Sequence, residues 1–141
     1  MAPHEVGHGL AARRTREGND VCIIGVGKLL GAAEGAAELL ESSGISTTVW
    51  DPRAVKPLDE TMLADAARHR LVVTAEDGLR EGGAGSGIAD ALGEVCEAGQ
   101  APKVRVLGTP MRYLAHGKPD DILAELGLDA EGIASEVRRS L

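Results

Sequence analysis

Four short strand-like runs, the first of them continuously apolar, set the frame for this chain. They are Val21-Cys22-Ile23-Ile24-Gly25-Val26-Gly27, Ile45 to Trp50, Leu71 to Ala75, and Lys103 to Leu107. Between them lie longer segments whose apolar residues recur at helical spacing. A continuous apolar run of this length suits a strand buried on both faces of a parallel sheet, and such a sheet needs helices on each side. The expectation is therefore an α/β fold, a three-layer α/β/α sandwich with a mostly parallel sheet.

The intervening segments carry their own start and stop signals. Leu29 to Ser43 is rich in Ala, Leu and Glu, and Gly44 stands where a left-handed C-terminal cap belongs. Leu58 to Arg70 follows Asp59, a good N-cap, with Met62, Leu63 and Ala66 on one face. Ile88 to Glu97, Pro119 to Leu126 and Asp129 to Leu141 read as further helices, the last two separated by Gly127. Leu10 to Thr15 reads as a strand at a sheet edge, where arginines can face water. Residues 1–9 read as a flexible leader or linker, and 10–141 as a single domain.

Composition narrows the partners. A net charge of −7 and the lack of a Lys/Arg-rich block disfavour nucleic acid and anionic membranes. The chain has no Phe, one Trp and one Tyr, so base-stacking platforms are not expected. Cys22 and Cys96 fall in an apolar strand-like run and a helix-like run, which favours buried thiols over a disulfide and suits a reducing cytoplasm. No apolar stretch reaches the length of a membrane span.

Three motifs invite chemistry. His4-Glu5-Val6-Gly7-His8 has the H-E-x-x-H spacing of zinc proteases, yet Pro3, Gly7 and Gly9 weaken the helix that must place both histidines on one face. No metal site is expected there. Gly25 and Gly27 open a helix after a strand and Asp51 ends the next strand, as in a dinucleotide site, but Leu30 occupies the third glycine position. Glycines at a tight strand-to-helix turn have a sufficient steric reason of their own. The third motif joins Asp51-Pro52-Arg53-Ala54-Val55-Lys56-Pro57-Leu58-Asp59 to Glu76-Asp77-Gly78-Leu79-Arg80-Glu81-Gly82-Gly83-Ala84-Gly85-Ser86-Gly87-Ile88. The second stretch is glycine-dense like a phosphate loop. It lacks the Lys and Ser/Thr of a Walker sequence, and its adjacent carboxylates would repel phosphate.

Lys56-Pro57-Leu58-Asp59, Val73-Thr74-Ala75-Glu76-Asp77 and Gly82-Gly83-Ala84-Gly85, in this order, resemble the C-terminal domain of the transketolase superfamily of thiamine-diphosphate enzymes. Gly85-Ser86-Gly87, Gly108-Thr109-Pro110 and Leu126 to Ile133 are similar to the 1-deoxy-D-xylulose-5-phosphate synthases in particular. The resemblance implies a mixed five-stranded sheet whose first strand, an edge strand, is antiparallel. It also implies that thiamine diphosphate and Mg are bound by two other domains, on the same or a separate chain, within a homodimer. On this view the chain itself carries no cofactor, no metal and no catalytic residue. Asp51, Arg53, Glu76, Asp77, Gly82, Gly83 and Gly85 become candidates for an interface or a wall of the active-site entrance. The competing reading is an independent nucleotide- or effector-binding module using Gly25, Gly27 and Asp51.

Overall fold

The computed structural model describes residues 11–53, 57–79, 83–97, 99–109 and 127–141. In chain order the elements are β1 (Arg13–Arg16), β2 (Val21–Gly25), α1 (Leu29–Glu41), β3 (Thr47–Asp51), α2 (Glu60–Ala67), β4 (Leu71–Leu79), α3 (Ala84–Val95), β5 (Lys103–Thr109) and α4 (Ala130–Ser140). Five strands form one sheet in the order β1-β3-β2-β4-β5. β2, β3, β4 and β5 run parallel, while β1 pairs antiparallel with β3. The expected mixed α/β sandwich, with its antiparallel edge strand, is the fold observed.

The central strands are apolar on both sides because helices cover both. Val21, Ile23, Val49, Leu71 and Val73 pack with Leu29, Ala33, Ala37 and Leu40 of α1 and Ile133 and Val137 of α4. Residues one step out of phase, Cys22, Ile24, Trp50 and Val72, pack with Met62, Leu63 and Ala66 of α2 and Ile88 and Leu92 of α3. The strand period of two thus divides each run between two cores. Substituting Ala for Leu40 or Ile88, both fully buried, is expected to cost about 2–5 kcal/mol.

The order β3-β2-β4 means that the chain leaves β2 in one direction through α1 and returns across it through α2. The carboxyl ends of β2 and β4 therefore flank the switch point of the sheet, where ligands of such folds bind.

Several boundaries differ from expectation for physical reasons. The edge strand is Arg13–Arg16 rather than Leu10 to Thr15, because its register is set by pairing with β3: Arg13 lies opposite Asp51 and Arg14 opposite Trp50. The helix after Asp59 spans Glu60–Ala67, with the Asp59 carboxylate accepting the Met62 amide hydrogen at 3.0 Å. Gly44 has φ +81, the left-handed cap expected of it. Asp129 caps α4 through Gly132 at 2.8 Å. The largest difference is α3, which begins at Ala84 rather than Ile88. Four glycine-rich residues that read as loop are its first turn. The segment Pro119 to Leu126 lies outside the described residues, as does the His4 to His8 motif.

Candidate functional site at the carboxyl end of the sheet

The turn from β2 into α1 brings backbone groups close together. The Val26 amide donates to the Ala75 carbonyl at 2.9 Å, tying the turn to β4. A methyl group on Gly25 would lie 2.8 Å from the Leu30 α-carbon and 2.9 Å from the Leu29 carbonyl oxygen. Gly27 has φ +60. Packing and turn geometry thus account for both glycines of the nucleotide-like motif. Lys28, at the N-cap of α1, reaches across the switch point to Asp77, Nζ to Oδ2 3.7 Å. Both side chains are about half exposed, so the pair contributes little to stability.

Asp51 and Arg53 form a second cluster at the end of β3. The Asp51 Oδ1 accepts the Arg53 amide hydrogen at 3.1 Å, closing a turn that holds Arg53 at φ +57. Arg53 is the one non-glycine residue with positive φ among the described residues. Lys56 and Gly82 lie outside those residues.

Glu76, Gly83 and Gly85 form the third cluster, and it explains the glycine-rich stretch. Glu76 is 6% exposed and its two carboxylate oxygens accept the amide hydrogens of Ala84 at 3.2 Å and Gly85 at 3.0 Å. A helix N-terminus presents unpaired N–H groups and a partial positive charge, which is why phosphates settle there. Here the protein's own carboxylate takes that place. Gly83 is the N-cap, with φ −86, and its lack of a side-chain oxygen leaves the capping to Glu76. Gly85 is buried against β4 and β5: a methyl group there would collide with the Thr74 hydroxyl and lie 2.6 Å from Val106 Cγ1. The close approach at Gly85 is therefore between elements of this chain.

Two polar networks outside these three clusters were missed in the sequence. Asp65 of α2 accepts from the Trp50 indole at 2.7 Å, from Arg68 Nε at 2.7 Å and from Arg14 at 3.3 Å. Burial raises its pKa, but the hydrogen bonds from Arg68 and Trp50 and the charges of Arg68 and Arg14 outweigh burial and hold the carboxyl below the usual value. Buried His69 lies 2.7 Å from the Thr48 hydroxyl, which itself contacts the Gly18 amide and carbonyl at 2.8 Å each. The single Trp, whose indole N–H needs an acceptor when buried, was the available clue to Asp65.

Chemically, the carboxyl end of the sheet offers a charged pair and capped backbone. Among the described residues, no three His, Cys, Asp or Glu side chains are grouped to hold a metal ion. The Cys22 thiol is fully buried, and burial, with the Asp65 charge beside it, pushes its pKa well up.

These features define a doubly wound α/β domain with an antiparallel edge strand, its switch-point glycines committed to packing and its helix anion site filled from within. The model of the transketolase C-terminal domain family matches residues 10–133, and the chain belongs to that family. It is 38% identical over 141 residues to 1-deoxy-D-xylulose-5-phosphate synthase from Magnetococcus marinus, covering 99% of this chain and 22% of that protein. It is 48% identical over 118 residues to 1-deoxy-D-xylulose-5-phosphate synthase 2 from Streptomyces coelicolor, covering 84% of this chain and 18% of the relative. The chain thus spans about a fifth of the length of these relatives. Among solved structures, one described as a split gene transketolase, inactive beta4 tetramer, superposes with a TM-score of 0.84 at 30% identity, over 99% of this chain and 45% of that one. A transketolase mutant from Pichia stipitis, at 17% identity and a TM-score of 0.64, shares the fold.

Proposed function

We propose that this chain is the C-terminal assembly domain of a thiamine-diphosphate-dependent transferase of the 1-deoxy-D-xylulose-5-phosphate synthase type, acting in isoprenoid-precursor biosynthesis in the cytoplasm. The observation that carries this reading is the match of nearly the whole chain to about a fifth of such synthases at 38–48% identity. The domain's role is to support the homodimer and to shape a wall near the active-site entrance, with Asp51, Arg53, Glu76, Asp77, Gly82, Gly83 and Gly85 as the residues that build that surface. Glu76, Gly83 and Gly85 serve it from inside, by fixing the start of α3.

The described residues do not fit a site for thiamine diphosphate and Mg. The helix N-terminus suited to a diphosphate is filled by Glu76, and the carboxylates are not grouped for a cation. Cofactor binding belongs to the remaining domains of the enzyme, on the same or a separate chain, and no catalytic step is assigned to this one.

Calorimetric titration with thiamine diphosphate and Mg tests the assignment. The expected result is no binding by the chain alone, and 1-deoxy-D-xylulose 5-phosphate formation only once it is combined with the cofactor-binding part. Micromolar cofactor affinity in the isolated chain overturns it.

A further inference from the structure

The edge strand β1 is fastened differently from the central strands. The apolar residues of β2, β3 and β4 are buried among helices on both faces, whereas all four residues of β1 are at least partly exposed, and the buried apolar residues just before it are the small Ala11 and Ala12. Arg14 and Arg16 supply its side-chain anchors. Two residues apart, they would share one face of a regular strand, but the register shifts between them: Arg14 lies opposite Trp50 and Arg16 opposite Val49, so Thr15 is the extra residue of a β-bulge. The bulge sends the two arginines to opposite layers. Arg14 reaches Asp65 of α2 at 3.3 Å and Glu17 at 3.1 Å, while Arg16 reaches Glu41 of α1 at 3.7 Å and Glu38 at 4.0 Å. The arginines and glutamates of these pairs are 32–77% exposed, a range in which an ion pair contributes little and salt screens it. The Thr15 hydroxyl is buried at the bulge with no hydrogen-bond partner among the described residues, which disfavours the closed strand.

We infer that residues 11–16 form a releasable strap: β1 detaches from β3 as a unit while the rest of the sheet stays folded, and ionic strength sets how often it does so. Segments with few buried apolar contacts open at free energies well below that of global unfolding. What holds this one is the backbone ladder to β3, the Ala12 amide on the Asp59 carboxylate at 3.2 Å, and the arginine pairs that salt weakens. The chain is fastened again at Gly18, whose amide and carbonyl both bond the Thr48 hydroxyl at 2.8 Å, so the opening ends there. Release bares the outer edge of β3 as far as Asp51, which lies opposite Arg13 and whose carboxylate accepts the Arg53 amide hydrogen. Opening at the edge therefore reaches the carboxyl end of the sheet.

Native-state amide hydrogen exchange, read residue by residue by NMR and corrected for the intrinsic rates of a peptide of the same segment, tests the strap. The β1 amides that bond β3 should exchange at least about tenfold faster than those of β2 and β4, and low concentrations of urea should leave them almost unchanged while quickening β2 and β4, because a local opening exposes little surface. Sodium chloride at about 0.5 M should quicken β1 exchange about threefold over low salt, and Arg14→Gln should do the same without added salt. Thr15→Val, which replaces the unpartnered hydroxyl by a methyl group, should slow β1 exchange about threefold. If the β1 amides match those of β2 and β4 in both rate and urea dependence, the strand opens only with the whole sheet and the inference falls. It falls equally if β1 exchange is fast but indifferent to salt and to Arg14→Gln, since the arginine pairs then do not control the opening.

Discussion

The Gly85 amide donates to the Glu76 carboxylate at 3.0 Å, with the neighbouring Ala84 amide on the other oxygen at 3.2 Å. An acidic side chain within β4 thereby caps a helix that starts eight residues later and would otherwise begin with glycine and no side-chain cap of its own. The pairing unites a buried charge with donors that lack intrahelical partners, and each needs the other. Replacing Glu76 by Ala is expected to cost about 1–3 kcal/mol, the range for losing charge-assisted hydrogen bonds. Glu76→Gln should fall between, since its side chain offers one acceptor oxygen where the carboxylate offers two, and its NH2 group would face one of the backbone donors. Urea unfolding measures both. Phosphate adds a second reading: it should raise the melting temperature of Glu76→Ala more than that of the wild type, because the bared helix end then accepts an external anion. Equal shifts in the two proteins refute the idea that Glu76 fills an anion site.

Gly85 and Gly83 should respond differently to the same change. A methyl group at Gly85 strikes the Thr74 hydroxyl and Val106, both under α3, so Gly85→Ala is expected to destabilise the chain by more than about 1 kcal/mol. Gly83 has φ −86, which alanine tolerates, so Gly83→Ala should change the melting temperature of the isolated chain little. Any larger effect of Gly83→Ala should emerge only in the assembled enzyme. Thermal melts of both variants, alone and assembled, make the comparison; similar losses in the isolated chain contradict it.

The sheet was legible because β2 and the first residues of β4 are apolar runs and β3 is β-branched, and the caps at Asp59, Gly44 and Asp129 because those signals act within a few residues of the helix end. The start of α3 was not. Gly82 to Gly87 look like loop by composition, and what makes Ala84–Val95 helical from its first residue is Glu76, a strand residue that no local rule connects to it. The order Lys28 to Asp77 escaped for the same reason: 49 positions separate two residues brought together only by strand pairing between β2 and β4. Asp51, Arg53, Glu76 and Asp77 were picked out as a group by resemblance, yet the fold distributes them among separate local bonds. Sequence motifs located the carboxyl end of the sheet but did not divide it into capping, turn and surface.

The two thiols should be chemically distinct. Cys22 is fully buried, with its pKa pushed up by burial and by Asp65, whereas Cys96 is partly exposed at the end of α3. A thiol reacts as its thiolate and only where a reagent can reach it. Under native conditions at neutral pH, Cys22→Ser should therefore leave the rate of labelling by an aromatic disulfide reagent unchanged, and Cys96→Ser should abolish the fast phase. Both thiols should react in denaturant. Fast native labelling in the Cys96→Ser protein contradicts the buried placement of Cys22.

Asp65 gives the chain a defined acid sensitivity. Its folded-state pKa lies below the usual carboxylate value because hydrogen bonds from Arg68 and Trp50 and the charges of Arg68 and Arg14 outweigh burial. A depressed folded pKa means that the unfolded chain takes up the proton first as pH falls. The stability that Asp65 contributes is then complete above the unfolded value, near about 3.9, and is lost as pH drops through the folded value. Asp65→Asn removes that dependence. At neutral pH the variant should be less stable by about 1–3 kcal/mol, since Arg68 and the Trp50 indole lose a charged acceptor. Below pH about 4 the difference between the two proteins should shrink. Trp50 is the single Trp of the chain, and its indole donates to Asp65 at 2.7 Å, so its fluorescence reports on this bond directly. In the wild type the emission should change as Asp65 protonates, ahead of or together with unfolding; in Asp65→Asn any change should coincide with unfolding alone. Denaturant curves followed by Trp50 emission at several pH values separate the two cases. A stability difference between wild type and Asp65→Asn that stays constant from pH 7 to pH 3 rules out the ionised carboxylate as its source.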